Sequence, residues 1–159
     1  MQIESLDLSR RADVAALLEL LNLYAMGPTG KGEGLSEAVL EQLPRQLSAM
    51  PHYRGWLAWD SDRPIGLLNA FIGLSTFRAQ RLLNIHDLCV RPGSEGRGIG
   101  SGLLGRAESW ARSEGFCKLT LEVLEHHTRA VSTYERAGFQ AYSLSPELGR
   151  ALFFEKWIL

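Results

Sequence analysis

Between Val90 and Leu104 the chain carries glycine at four alternate positions, Gly96, Gly98, Gly100 and Gly102. An apolar run precedes them and a helical pattern follows. Ordering a glycine costs more backbone entropy than ordering any other residue, so such a run needs a structural reason. It makes sense where the backbone must approach a ligand closely and present free N–H groups at a helix N-terminus, a setting that suits phosphate or pyrophosphate. The flanks support this placement. Leu82–Val90 reads as a strand closed by Arg91-Pro92-Gly93. A helix runs from about Gly100 to Glu114, with Leu103, Leu104, Ala107, Trp110 and Ala111 on one face and Gly115 as its stop.

The remaining elements follow from periodicity and breakers. Ile3–Leu6 is a short edge strand, and Arg11–Tyr24 a helix with Val14, Leu17, Leu18 and Leu21 near the 3.6 period, ending before Gly27-Pro28. Gly27–Gly34 predicts a flexible loop. Ser36 caps a second helix reaching Met50, which Pro44 kinks or breaks in two. Strands are predicted over Tyr53–Trp59, Ile65–Ser75, Lys118–Leu124 and Leu152–Ile158, and a last helix over Thr128–Ala137 with Gly138-Phe139 as terminator. The order β-α-α-β-β-β-α-β-α-β is that of a mixed α/β domain.

Composition sets the outer bounds. At 159 residues the chain is long enough for one self-sufficient core, and a single domain over 1–159 is expected. A formal charge of −1 removes the bulk electrostatic case for nucleic acid or an anionic membrane as partner. No stretch reaches the ~18 consecutive apolar residues of a spanning helix, and the polar N-terminus has no signal-peptide core, so a cytoplasmic location is expected. Cys89 and Cys117 both lie in apolar runs and read as packing residues. His126 and His127 are adjacent and cannot face one ligand from a regular element. No Cys/His set accompanies them, and no metal is expected.

Gly100-Ser101-Gly102-Leu103-Leu104-Gly105 matches the G-x-G-x-x-G pattern of dinucleotide-binding folds, with Glu122 near the end of the next strand. Two of those glycines fall inside the predicted helix, however. Only 37 residues follow Glu122, too few to complete a doubly wound fold. Gly27–Gly34 lacks the spacing of a Walker loop and has no Ser or Thr after Lys31.

Two blocks together are more specific. Arg97-Gly98-Ile99-Gly100 fits the end of a Gln/Arg-x-x-Gly-x-Gly/Ala signature, with Glu95 in the Gln/Arg slot. His127 to Phe139 fits Asn-x-x-Ala-x-x-x-Tyr-x-x-x-Gly-Phe at Ala130, Tyr134, Gly138 and Phe139, with His127 in the Asn slot. In these blocks the chain resembles the GNAT superfamily of acyl-CoA-dependent N-acetyltransferases. The resemblance covers Leu83–Ser101 with its helix and Glu122–Phe139, and is only topological before that. It implies a central mixed, mostly antiparallel sheet flanked by helices, and acetyl transfer from acetyl-CoA to an amine by direct attack in a ternary complex.

By this resemblance, amides of Gly96, Arg97, Gly98, Ile99, Gly100 and Ser101 hold the pyrophosphate, with Glu95, His127 and Ala130 beside it. Backbone groups of Leu88, Cys89 and Val90 pair with the pantetheine arm as an added strand does, and one of those amides can face the thioester carbonyl. Tyr134 carries over as the acid toward the departing thiolate. For the base, His86 and Asp87 are the candidates, with Glu122 a third; His86 has the better ordinary pKa. Regular alternation sends His86 and Asp87 to opposite faces. The acceptor is a small-molecule amine or a protein or peptide amine, met by the Gly27–Gly34 loop and the helix around Pro44. Met26, His52, Tyr53, Trp56 and Phe77 are candidates for its slot. A homodimer through Leu152–Ile158 is a further expectation. The competing readings are a non-catalytic acyl-CoA sensor and an NAD-binding Rossmann protein.

Overall fold

The computed structural model describes residues 1–143, 145, 147 and 151–158. Strand β1 (Gln2–Ser5) leads into helices α1 (Arg11–Met26) and α2 (Glu37–Ser48). Strands β2 (Tyr53–Asp60), β3 (Arg63–Ser75) and β4 (Gln80–Val90) follow. Helix α3 (Ile99–Ser113), strand β5 (Lys118–Leu121) and helix α4 (Thr128–Arg136) complete the set. The sheet order is β1-β2-β3-β4-β5. The first three pairings are antiparallel and β4–β5 is parallel. This is the mixed, mostly antiparallel sheet that was expected. It is not doubly wound, and Gly102 and Gly105 lie inside α3, which removes the dinucleotide-binding reading.

Alternation along the strands divides the core in two. Trp56, Ala58, Leu68, Ala70, Leu83 and Ile85 face α3, meeting Ile99, Leu103, Leu104, Ala107 and Ala111, and Tyr134 and Phe139 pack on the margin of this cluster. Leu57, Leu67, Tyr53 and Cys89 face the other way, against Ala16, Leu17 and Leu20 of α1 and Leu47 of α2. The helix faces read from periodicity therefore meet the two sides of one sheet.

Three expectations are corrected. Pro44 sits inside a continuous α2, capped by Ser36 Oγ accepting from the Val39 amide at 3.4 Å. The amide that proline lacks is one bond of the helix ladder, and the helix keeps its Leu47 anchor in the core. Strand β5 stops at Leu121, so Glu122 lies outside it. The segment Leu152–Ile158 forms no strand: Leu152, Phe153, Phe154, Trp157 and Ile158 are exposed. Apolar, β-prone residues make a strand only where a neighbouring ladder receives them, and β5 pairs with β4 alone among the described residues.

The loop after α1 is tied down rather than loose. The Gly30 and Gly32 amides donate to Gly27 and Ala25 carbonyls, and the Leu35 amide donates to Asn22 Oδ1 at 2.8 Å. This brings Gly27, Pro28 and Thr29 over the C-terminal end of β4, where they line a cavity.

Candidate active site

The sheet opens where β4 leaves β5. Their ladder ends at Ile85 opposite Leu121, and from His86 to Val90 β4 has no partner on that side among the described residues. On its other edge, Leu88, Cys89 and Val90 lie opposite Leu68, Leu67 and Gly66 of β3. A strand with one edge unpaired offers its N–H and C=O groups to an extended ligand.

Two adjoining cavities fill this opening. The larger, about 510 Å³, is bounded by the end of β4, the glycine run, the first turn of α3, the loop after α1 and one face of α4. The smaller, about 320 Å³, lies toward β5 and is lined by His86, Glu122 and Phe153 among others. Tyr24, Thr29, Leu88, His127, Ala130 and Tyr134 border both. Every residue expected to hold the acyl carrier lines the larger cavity except Arg97, whose guanidinium instead pairs with Asp60 at 2.7 Å.

The glycine run has the geometry of an anion cradle. Gly96 and Gly98 both have φ of 78°, the left-handed region that glycine enters without strain, and Gly98 is the N-cap of α3. Among the described residues, no acceptor takes the amides of Gly96, Arg97, Gly98, Ile99 or Gly100. A Cβ at Gly96 or Gly98 would meet nothing within 4 Å, and both glycines line the larger cavity. Unpaired amides at the positive end of a 15-residue helix, facing a cavity, fit a pyrophosphate. Glu95 is turned back on its own turn, its Oε2 accepting from the Gly93 amide at 2.7 Å. That bond occupies the carboxylate locally. The cationic lining comes from Arg91, Arg129 and Arg136. Arg91 is buried, donating to the Pro64 carbonyl at 2.6 Å and to Glu19 at 2.7 Å, and so ties β3 and α1 to the root of the loop.

Tyr134 stands where the two cavities meet, its ring against Phe139 with centroids 6.0 Å apart. Burial, and then the nearby Tyr24, push its pKa above the ordinary tyrosine value, so the phenol stays protonated at neutral pH. Tyr24 is pushed up too, by burial first and then by Asp87 and Cys89. Burial, with a contribution from Asp87, raises the Cys89 thiol to about 12, which makes it an inert packing group.

The alternation expected of His86 and Asp87 is corrected by a β-bulge. Asn69 lies opposite Asp87 and Ala70 opposite Ile85, so His86 is an extra residue in β4 with no counterpart in β3. Both side chains consequently reach the α1 side of the sheet. Asp87 accepts a hydrogen bond from Asn69 Nδ2 at 3.0 Å, and the exposed His86 sets its ring edge-on to Phe71, centroids 5.5 Å apart. His86 lines the smaller cavity; Asp87 is half-buried, close enough to Tyr24 for its charge to act on the phenol, and lines neither cavity. Glu122 is exposed on the lining of the smaller cavity.

Tyr24, Arg91, Arg129, Thr133 and Arg136 are among the further residues that line the larger cavity and were not expected there, whereas Thr29 belongs to the loop expected to meet the acceptor. A partial signal existed for the α4 residues: Arg129 and Thr133 flank Ala130 and Tyr134 at helical spacing, on one face. Tyr24 had none, because only the packing of α1 brings its end to β4. Among the acceptor-slot candidates, Trp56 and Tyr53 are core residues, His52 is exposed, and Phe77 is wholly exposed in the β3–β4 turn. Among the described residues no group of three or more His, Cys, Asp or Glu could hold a metal ion, and no helix is long and apolar enough to cross a membrane.

Known proteins share this architecture. Streptothricin acetyltransferase of Streptomyces lavendulae is 36% identical over 83 residues, 52% of this chain and 44% of that protein. The uncharacterised N-acetyltransferase YhfO of Bacillus subtilis is 30% identical over 84 residues, 53% of this chain and 56% of that protein. The similarity thus spans about half the length of each. The aminoglycoside acetyltransferase meta-AAC0020 from an uncultured soil metagenomic sample, solved with trehalose, superposes with a TM-score of 0.79 at 18% identity, covering 98% of this chain and 95% of that one. At that identity the likeness is one of fold. Residues 17–139 match the family model described as acetyltransferase (GNAT) family, and the chain belongs to that family.

Proposed function

We propose that residues 1–159 work as one domain that transfers an acetyl group from acetyl-CoA to a primary amine by direct attack in a ternary complex. The observation that carries this reading is the row of acceptor-free amides from Gly96 to Gly100, which opens onto a cavity bordered by Tyr134. Acetyl-CoA, when bound, supplies a thioester carbonyl whose acetyl group leaves the CoA sulfur. The Gly96–Ser101 amides would hold its pyrophosphate, with Arg129 and Arg136 adding positive charge, and the open edge of Leu88–Val90 would bind the arm. Ala130 and His127 close the wall opposite.

The amine approaches through the smaller cavity. Its nitrogen bonds to the carbonyl carbon, the carbon–sulfur bond breaks, and Tyr134 Oη–H donates toward the sulfur. The proton shed by the amine passes to Asp87 or His86, which the bulge turns to one side; Glu122 is the third candidate. The metagenomic relative, solved also with sisomicin, and the streptothricin enzyme make small polyamine antibiotics the first amines to test; a peptide amine is the alternative. The exposed apolar segment 152–158 is the surface through which a homodimer would form.

Calorimetric titration with acetyl-CoA, with NAD as control, tests the reading. Micromolar acetyl-CoA binding, a blank NAD trace, and thiol release dependent on an amine from a panel including sisomicin and streptothricin are expected. Absence of acetyl-CoA binding would refute it.

A further inference from the structure

We propose that the hydrogen-bonded chain Tyr53–Asn69–Asp87 holds the Asp87 carboxylate in one orientation and thereby selects Asp87, rather than neighbouring His86, as the acceptor of the amine proton. Tyr53 and Asn69 are then positioning residues. This inference rests on the acetyl-transfer reading above.

The chain is built from three strands. Tyr53 in β2 donates its hydroxyl proton to Asn69 Oδ1 at 2.8 Å, and Asn69 Nδ2 in β3 donates to Asp87 Oδ2 in β4 at 3.0 Å. Tyr53 and Asn69 are 7% and 3% exposed, so neither can exchange these partners for water. A carboxamide has two orientations of nearly equal shape, and its partners decide between them. With the phenol giving its proton to Oδ1, the NH₂ group must point at Asp87; the flipped amide would set an oxygen against the carboxylate. One Asp87 oxygen is thus tied down, and the other accepts no hydrogen bond among the described residues; since Asp87 lines neither cavity, the amine proton reaches it through one bridging water.

Two further features serve this arrangement. The bulge at Asn69/Ala70 sets Asp87 directly opposite Asn69 while casting His86 out as the unmatched residue. His86 is exposed and has no hydrogen-bond partner among the described residues, only the edge of Phe71. Gly55, opposite Asn69 on the β2 side, makes room for the phenol: a methyl there would collide with the Tyr53 hydroxyl and with Leu6. The glycine is needed for close approach, since it lies in ordinary strand conformation.

The test has a spectroscopic arm and a kinetic arm. In ¹⁵N–¹H spectra the Asn69 carboxamide protons should be widely separated and protected from exchange. Tyr53→Phe should abolish that protection, and Gly55→Ala, which keeps the phenol but crowds it off Asn69, should do the same. Asn69 protons unchanged in both variants would overturn the proposal whether or not an acceptor amine is known. In acetyl transfer, Tyr53→Phe should lower kcat about fivefold, the worth of one hydrogen bond, with KM for acetyl-CoA unchanged. In an Asp87→Asn background it should cost nothing more. Equal losses in both backgrounds would mean a merely structural role and overturn the positioning. Full kcat in Asp87→Asn alone would instead refute Asp87 as base, and loss of acetyl-CoA binding by the wild type would refute the underlying reading.

Discussion

Gly98→Ala separates the two jobs given to the glycine run, turning the chain and presenting its amides. Gly98 has φ of 78°, and a Cβ there would meet no atom within 4 Å, so the substitution costs backbone strain without collision. For an L-residue that strain is about 1–2 kcal/mol. In a chain of this size it lowers Tm by roughly 2–8 °C. The affinity effect is separate. Relief of the strain turns at least one cradle amide away, and a hydrogen bond to a charged group is worth about 1.5–3 kcal/mol, so Kd for acetyl-CoA should rise about 10- to 150-fold. Gly93→Ala is the matched control. Its φ is 81° and its Cβ also meets nothing, but its amide is already taken by Glu95 and it does not line the cavity. It should lose the same Tm in a calorimetric scan and keep its Kd in titration. Equal loss of affinity in both variants, or none in Gly98→Ala, would refute the cradle.

Other expectations follow from the same geometry. Tyr134→Phe should reduce kcat by about 10²- to 10⁴-fold with little change in acetyl-CoA affinity, and an unchanged turnover number would end the acid role. Since burial and Tyr24 raise the Tyr134 pKa, the alkaline limb of the wild-type rate profile that reports this group should lie above the ordinary tyrosine range. Of the two thiols, half-buried Cys117 should react with a disulfide reagent in the native protein, and Cys89 only on unfolding. Its raised folded-state pKa contributes stability fully present below about 8.5. That contribution is lost as pH climbs toward about 12, which denaturant titrations at successive pH values would measure.

Local sequence decided a good deal. The spacing of Leu103, Leu104, Ala107 and Ala111 marks the buried face of α3, and Gly27, Gly115 and Gly138 mark where helices stop, because each depends on a few neighbouring residues. The alternate glycines pointed to one wall of the cavity for the same reason, and the resemblance of His127 to Phe139 to a family block pointed to the other. Pairing between distant strands was not legible. Whether His86 and Asp87 share a face depends on one extra residue in β4 relative to β3, a register that neither strand carries in its own pattern. The ends of β5, the integrity of α2 across Pro44 and the exposure of Leu152–Ile158 likewise turn on what lies alongside. Tyr53 read as a strand aromatic that could line the acceptor slot or pack in the core. Only the packing of β2 on β3, with Gly55 leaving space, points its hydroxyl at Asn69. Composition and periodicity thus determined most of the elements and the position of the glycine-rich loop, which are local in the chain. The tertiary structure alone decided which side chains meet, because a hydrogen bond spans ångströms in space and takes no account of distance along the sequence.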